Sequence, residues 1–323
     1  MTGTDEMPPR PNGPSSGTWQ VGDVTVTRID ELTLDGHTAA QLLPGADPAF
    51  VARHRDRLGP GLVRPGEAGP GSERVVVSIH TWLLRTPRHV ILIDTATGNG
   101  KSRPQAPELD GLDEPYLARL AAAGVRPEDV DAVLITHLHA DHVGWNTRLI
   151  DGRWQPTFPR ARHYVSAAEQ RYNADLADGR APLLPAALGP RARVPYGGVY
   201  DDSVRPILDA GLAALIDVGG GEVLDGLAFV PTPGHSIDHA SIRLVSRGQE
   251  ALFAGDVMHH PLQVYAPELS SCFCEFPEAA EASRRAVLAE AAERGSLIFA
   301  THFAESSVGR VRRAADGYAW SFA

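Results

Sequence analysis

The chain has 323 residues, 43% of them hydrophobic and 22% charged, an ordinary globular composition that excludes a disordered, collagen-like or coiled-coil chain. Its 30 basic and 40 acidic residues leave a net charge of −10, which argues against nucleic acid or an anionic membrane surface as a partner. Length alone allows about two units of roughly 150 residues or one large α/β domain.

In chain order, Met1–Gly17 is rich in Pro, Gly and Ser and reads as a flexible tail ahead of one domain over residues 18–323. The tail has no basic start followed by an apolar core, and no apolar run approaches the roughly 18 residues of a membrane span, so a cytoplasmic location is expected. Val24–Asp30 alternates and is β-branched, the pattern of a strand. Leu43–Gly71, dense in Pro, Gly and Arg, predicts a long loop with one short helix near Pro48–Leu58, serving as a lid, a dimer arm or a surface insertion. Val75–Leu84 and Val90–Ile93 read as strands separated by a turn at Pro87, the second ending at Asp94. Glu114–Ala123 reads as a helix with Asp113 as N-cap and Gly124 at its end. Val133–Ile135 is a buried strand running into His137, Ala161–Val165 another strand, Ala167–Ala177 a helix, and Asp202–Ala214 a helix interrupted by Pro206.

The second half repeats this logic. Val223–Val230 leads to His235, Ala240–Val245 is followed by an apolar run from Leu252 to Asp256, Glu278–Arg294 is a helix, and Ser296–Ala300 ends at His302. Strand-rich halves with helices between them predict two sheets covered by helices. Cys272 and Cys274, one residue apart, can supply neither a disulfide framework nor a four-thiolate zinc site and read as packing residues in a reduced compartment. With 13 histidines against two cysteines, any metal must be held by imidazole and carboxylate.

The segment that carries chemistry is Thr136-His137-Leu138-His139-Ala140-Asp141-His142, three imidazoles and a carboxylate within six residues on a turn after an apolar strand. This donor set suits zinc and related divalent ions. His235, Asp256 and His302 each end an apolar run as well, so four strand ends deliver ligand-type residues to one sheet edge.

This pattern resembles the metallo-β-lactamase superfamily, and the likeness runs from about Val21 to the last 20 residues. It implies an α/β (α+β) fold, the four-layer αββα sandwich, with the site at one edge of the two sheets. Position by position it implies His137, His139 and His235 on one metal, Asp141, His142 and His302 on a second, and Asp256 bridging both. Two zinc ions, or other divalent metals, would generate a bridging hydroxide near neutral pH that attacks a carbonyl or phosphoryl centre. The redox branch carries a carboxylate where His139 stands, so diiron chemistry is not expected. In the superfamily an aspartate placed like Asp94 supports the metal-binding loop, and Thr136, Thr232 and Thr301 lie next to ligands.

Quorum-quenching lactonases carry a Tyr three residues after the bridging Asp; here His259 takes that place, as in the methyl parathion hydrolase branch of lactonase-like enzymes. Asp141 and Asp256, both ligands, with His259 as the residue reaching substrate or leaving group, form the expected catalytic set. Trp145 is the expected pocket aromatic, with Trp154, Phe158, Phe273 and Phe276 as further wall candidates and His260 a weaker one. The resulting expectation is a metal-dependent hydrolase (esterase, lactonase or phosphotriesterase) acting on a small molecule, with no nucleic-acid or membrane partner and homodimerisation allowed. A tailoring hydrolase or thioesterase of secondary metabolism is the alternative, and a non-catalytic metal-binding protein a more distant one.

Overall fold

Alternation along the strands decides which side chains meet, because successive residues of a strand face opposite sides of its sheet. The structure is a computed structural model describing residues 17–59, 61–69 and 71–323. The tail expected over Met1–Gly17 therefore lies, Gly17 apart, outside the described residues.

The first seven-stranded sheet takes its strands in chain order: β1 (Thr18–Val21), β2 (Val24–Leu34), β3 (Val77–Arg85), β4 (Val90–Ile93), β5 (Ala132–Leu134), β6 (Arg162–Ser166) and β7 (Ala213–Ile216). Pairing is antiparallel from β1 to β4 and parallel from β4 to β7. The second sheet likewise runs β8 (Glu222–Leu224), β9 (Leu227–Pro231), β10 (Ala240–Ser246), β11 (Gln249–Gly255), β12 (Leu297–Ala300), β13 (Val308–Ala314) and β14 (Gly317–Phe322), with only β11–β12 parallel. Parallel neighbours need a crossover. The helices Tyr116–Ala122, Ala167–Ala177 and Pro277–Arg294 lie in three of them.

Three apolar layers follow from the alternation. Trp82, Leu84, Ile91, Ile93 and Leu134 face Phe229, Ile242, Phe253 and Phe299 between the sheets. The neighbouring residues Leu83, Leu92 and Val133 turn outward against Tyr116 and Leu120. On the other side Leu252, Ala254, Ile298 and Ala300 turn outward against Val287, Leu288 and Ala291 of the C-terminal helix. Three buried layers between four layers of secondary structure make the expected αββα sandwich.

Several boundaries differ from the sequence reading for local reasons. Val223–Val230 is a hairpin, not one strand: Asp225 and Gly226 both have positive φ (48° and 79°), as a two-residue Asp-Gly turn requires. The Asp202–Ala214 helix is reduced to Arg205–Asp209 after an irregular turn over Tyr200–Val204, and Ala213–Ile216 pairs with β6 as a strand. The helix expected from Glu114 begins at Tyr116, after Pro115, whose ring disfavours helical backbone at Glu114; Asp113 caps nothing there, and the Glu114 N–H is taken by Asn99 Oδ1. Within Leu43–Gly71, Pro48–Leu58 is a helix capped by Asp47, and Leu43, Val51, Leu58, Leu62 and Val63 are buried with Leu262 and Ala304. That packing ties these residues of the segment to the body of the domain.

Candidate metal centre

Four loops at one edge of the sandwich meet. After β5, the chain turns through His137 and His139 into the one-turn helix Ala140–Val143 bearing Asp141 and His142. Asp94 directly follows β4 in the left-handed region (φ 55°), and its carboxylate fixes this turn. It accepts from Thr136 N and Thr136 Oγ1, both at 2.8 Å, and from His142 Nδ1 at 2.8 Å. Gly144 lets the two loops touch, since a Cβ there would stand 1.7 Å from the Thr97 carbonyl oxygen. His235 follows β9, Asp256 follows β11 and His302 follows β12.

The nitrogen and oxygen atoms converge. His235 Nε2, His302 Nε2 and His259 Nε2 lie 3.2, 3.0 and 3.2 Å from Asp256 Oδ2, and His142 Nε2 lies 3.2 Å from Asp256 Oδ1. Asp141 Oδ2 is 3.6 Å from His302 Nε2 and 3.8 Å from His142 Nε2. His139 Nδ1 is 2.8 Å from His235 Nε2. Four sets of donor atoms each fit within 4.8 Å: His137/His139/His235, His137/His142/Asp256, Asp141/His142/His302 and His235/Asp256/His259.

The outer ring nitrogens explain the inner ones. His142 donates from Nδ1 to Asp94, His302 from Nδ1 to the Ser78 carbonyl at 2.9 Å, and His137 from Nδ1 to Thr136 Oγ1 at 3.0 Å. His139 donates from Nε2 to Glu275 Oε1 at 2.9 Å, and His235 Nδ1 faces Cys274 Sγ at 3.8 Å. These partners fix each tautomer so that the opposite nitrogen offers its lone pair to the centre. Burial without partners points the same way. His137 Nε2, His142 Nε2, Asp256 Oδ1 and both ring nitrogens of His259 are buried with no hydrogen bond, a cost of about 1–3 kcal/mol each that a cation would relieve. The residues present therefore fit a metal.

Electrostatics agree. Burial pushes the imidazoles of His137 and His235 well below their ordinary pKa, toward the neutral ligand form. Burial opposes charge on Asp256, yet the rings of His142, His302, His235 and His259 hold its carboxyl well below the usual range. Burial likewise opposes a charged His142 or His302, and Asp256 with Asp141 outweighs it, raising both. The carboxylates thus favour positive charge here, which protons or divalent cations supply.

An apolar cavity of about 70 Å³ opens onto this cluster, with His139, Asp141, His235, Asp256, His259 and His302 at its base. Val77, Ile79, Leu109 and Phe273 line its sides, and Arg193, whose guanidinium lies over the rings of Tyr196 and Phe273, stands among them. Of the expected pocket aromatics only Phe273 lines the cavity. Trp145 does not: it is 5% exposed, stacks on Tyr116 with ring centroids 5.0 Å apart, and donates from its indole N–H to Glu31 Oε1 at 2.6 Å. Its ring faces the outer layer of the first sheet, where it braces the loop after Asp94, because Glu31 also accepts from Thr97 N and Gly98 N. Trp154 packs under Lys101, Phe158 lies in the core, and Phe276 packs near Tyr172. His260 is buried and bonded to the Leu62 carbonyl.

Sequence reasoning missed three supports. Glu275 holds His139; His239 Nε2 accepts the Asp256 N–H at 2.8 Å; and Glu169 accepts from Ser236 Oγ and from Asp238 N, beside His235. None belongs to a local motif, and only Glu169, on a helix beginning after a strand, sits at a place worth suspecting.

The sequence profile of the metallo-beta-lactamase superfamily matches residues 74–302. A probable metallo-hydrolase of Mycobacterium tuberculosis is 27% identical over 197 residues, and the match spans 58% of this chain and 58% of that relative's length. Among solved structures, a hydrolase of the beta lactamase superfamily, AbOPH, is 24% identical, with a TM-score of 0.75 over 97% of this chain and 99% of its own. AidC, a dizinc quorum-quenching lactonase, is 17% identical, with a TM-score of 0.72 over 96% of this chain and 98% of its own. Among the described residues no helix is long and apolar enough to cross a membrane.

Proposed function

The chain belongs to the metallo-β-lactamase superfamily, and from that premise we propose that residues 18–323 form one binuclear metallohydrolase domain acting on a small ester, lactone or phosphotriester. The observation that carries the reading is the set of fixed, inward-facing lone pairs of His137, His139, His142, His235 and His302 around Asp256, beneath an apolar cavity. In this reading His137, His139 and His235 would hold one ion and Asp141, His142 and His302 the other, and Asp256 would serve both. Imidazole and carboxylate donors suit zinc, and other divalent metals as well.

When bound, two such ions supply a Lewis acid for the substrate's electrophilic oxygen and a nucleophilic hydroxide near neutral pH. The chain's own residues do the rest. Asp94 and Thr136 hold His137 and His142 in place. His259, 4.9 Å from the His235 ring and stacked on His302, lies where it can contact substrate or hand a proton to the leaving group. The apolar walls exclude water and select an uncharged, mostly apolar body. The similarity in fold to AidC, a quorum-quenching lactonase, favours the lactone among the three classes.

The test is proton release from zinc-reconstituted protein across acyl homoserine lactones, aryl esters, a phosphotriester, an acyl thioester and a β-lactam. One class turning over with kcat/KM above about 10⁴ M⁻¹s⁻¹ supports the reading. Inertness to all of them with two zinc ions bound overturns it.

A further inference from the structure

Of the five histidines proposed as ligands, four offer Nε2; His139 alone offers Nδ1, and its Nε2 is spent on Glu275. Glu275 is 1% exposed, and its carboxylate has two partners: His139 through Oε1 at 2.9 Å, and Tyr172 through Oε2. Arg191 in turn donates to Tyr172 Oη at 3.2 Å. The backbone of the same residue grips a second ligand, because Glu275 N donates to the His235 carbonyl at 2.9 Å. Phe276 N donates to the Gly234 carbonyl at 2.8 Å, and Ala192 N to the Glu275 carbonyl at 2.7 Å. One buried residue is therefore tied to both His139 and His235, which share a donor set with His137 and lie 136 and 40 residues away in the chain.

We propose that Glu275 is a positioning residue that sets the tautomer of His139, joins it to His235, and so determines affinity at the His137/His139/His235 position alone. The proposal rests on the two-metal reading above. Its physical basis is that an imidazole is a ligand through one nitrogen only when a partner holds the proton on the other. Among the described residues the half-buried ring of His139 has no other acceptor at Nε2, so without Glu275 it is free to turn over and present Nε2 instead of Nδ1. The other position depends on Asp94 and the Ser78 carbonyl for His142 and His302, and Glu275 touches neither ring.

The test compares Glu275→Gln and Glu275→Ala with the parent protein by stepwise zinc removal with a chelator, counting the zinc retained. Long-range ¹H–¹⁵N spectra of the zinc-loaded protein report which ring nitrogens carry protons. In the parent, one ligating histidine is expected to be metal-bound through Nδ1. In Glu275→Ala, affinity for one of the two zinc ions falls by roughly 10- to 100-fold while the other is unchanged, and the Nδ1-bound signature disappears. Glu275→Gln keeps the shape and an acceptor oxygen, so it folds where the alanine variant fails to, and shows a smaller loss at the same ion. Unchanged affinity for both ions in either variant, equal loss at both, or persistence of the Nδ1-bound signature in Glu275→Ala overturns the proposal. These readouts need no substrate, so a protein inert to every ester would refute the hydrolase reading and leave this inference standing or falling by itself.

Discussion

At the scale of single residues, the centre separates groups that hold charge from groups that shape space. Asp256 is 3% exposed and lies within 3.2 Å of four imidazole nitrogens, so no neighbour can replace it. Asp256→Ala is expected to lower kcat by about 10³-fold, the equivalent of several kcal/mol of Lewis-acid stabilisation, and to retain less zinc by elemental analysis. His259 has two unbonded ring nitrogens and reaches the same carboxylate, yet its ring also meets Phe273 at the cavity wall in a tilted contact, centroids 5.8 Å apart. His259→Ala is expected to keep both zinc ions and to change the ranking of substrates by kcat/KM; loss of zinc would make it a ligand instead. Trp145 belongs to the other class. Trp145→Phe removes the indole donor to buried Glu31 and leaves a cavity, and is expected to cost about 2–3 kcal/mol in urea denaturation with KM unaltered.

At the scale of elements, the helix Ala167–Ala177 and the Gly144–Thr97 contact carry the site. Glu169 and Tyr172, three residues apart, lie on one face of that helix and reach the His235 loop and Glu275. Burial, with the like charge of Glu275 added, pushes the Glu169 carboxyl up to about 7. Between its ordinary value of 4.5 and about 7 the folded protein keeps a proton that the unfolded chain has released. The contribution of Glu169 to stability is therefore complete below pH 4.5, falls as pH rises toward 7, and is flat above. Glu169→Gln keeps an acceptor for Ser236 and removes the ionisation. Its thermal midpoint, measured on chelator-treated protein, is expected to gain on the parent over that window. Gly144→Ala would drive a methyl group into the Thr97 carbonyl, and a loss of at least about 2–3 kcal/mol with weakened zinc binding is expected.

At the scale of the molecule, the centre lies where both sheets end, so the proposed ligands come from both halves: the His137–His142 turn from the first sheet, and His235, Asp256 and His302 from the second. Ions bound there would be gripped by both halves and would stabilise the folded state by mass action, about 4 kcal/mol for an ion at 1,000 times its Kd. Chelation is expected to lower the thermal midpoint by several degrees, and zinc, added back, to restore it. A midpoint indifferent to chelator would mean that the cluster binds no metal tightly.

The cluster of candidate ligands that the fold brings together was legible in the sequence because its geometry is local. Four of its residues share one turn after a strand, and each of the other three ends an apolar run, so the strand pattern that places the backbone also places the side chain. The same period of two shows both sheets and most of their strands. It fails at Val308–Ala314, where three arginines blur the alternation, and across Asp225-Gly226, where the turn hides inside an apolar run. Tertiary structure alone decided the rest. Trp145 adjoins the metal-binding turn in sequence, but the Gly144–Thr97 contact carries its ring to the opposite side of the loop, into the core. Glu275, Glu169 and His239 act through hydrogen bonds to residues up to 136 positions away. A carboxylate's partner depends on which loops the two sheets bring together, and no spacing along the chain encodes that.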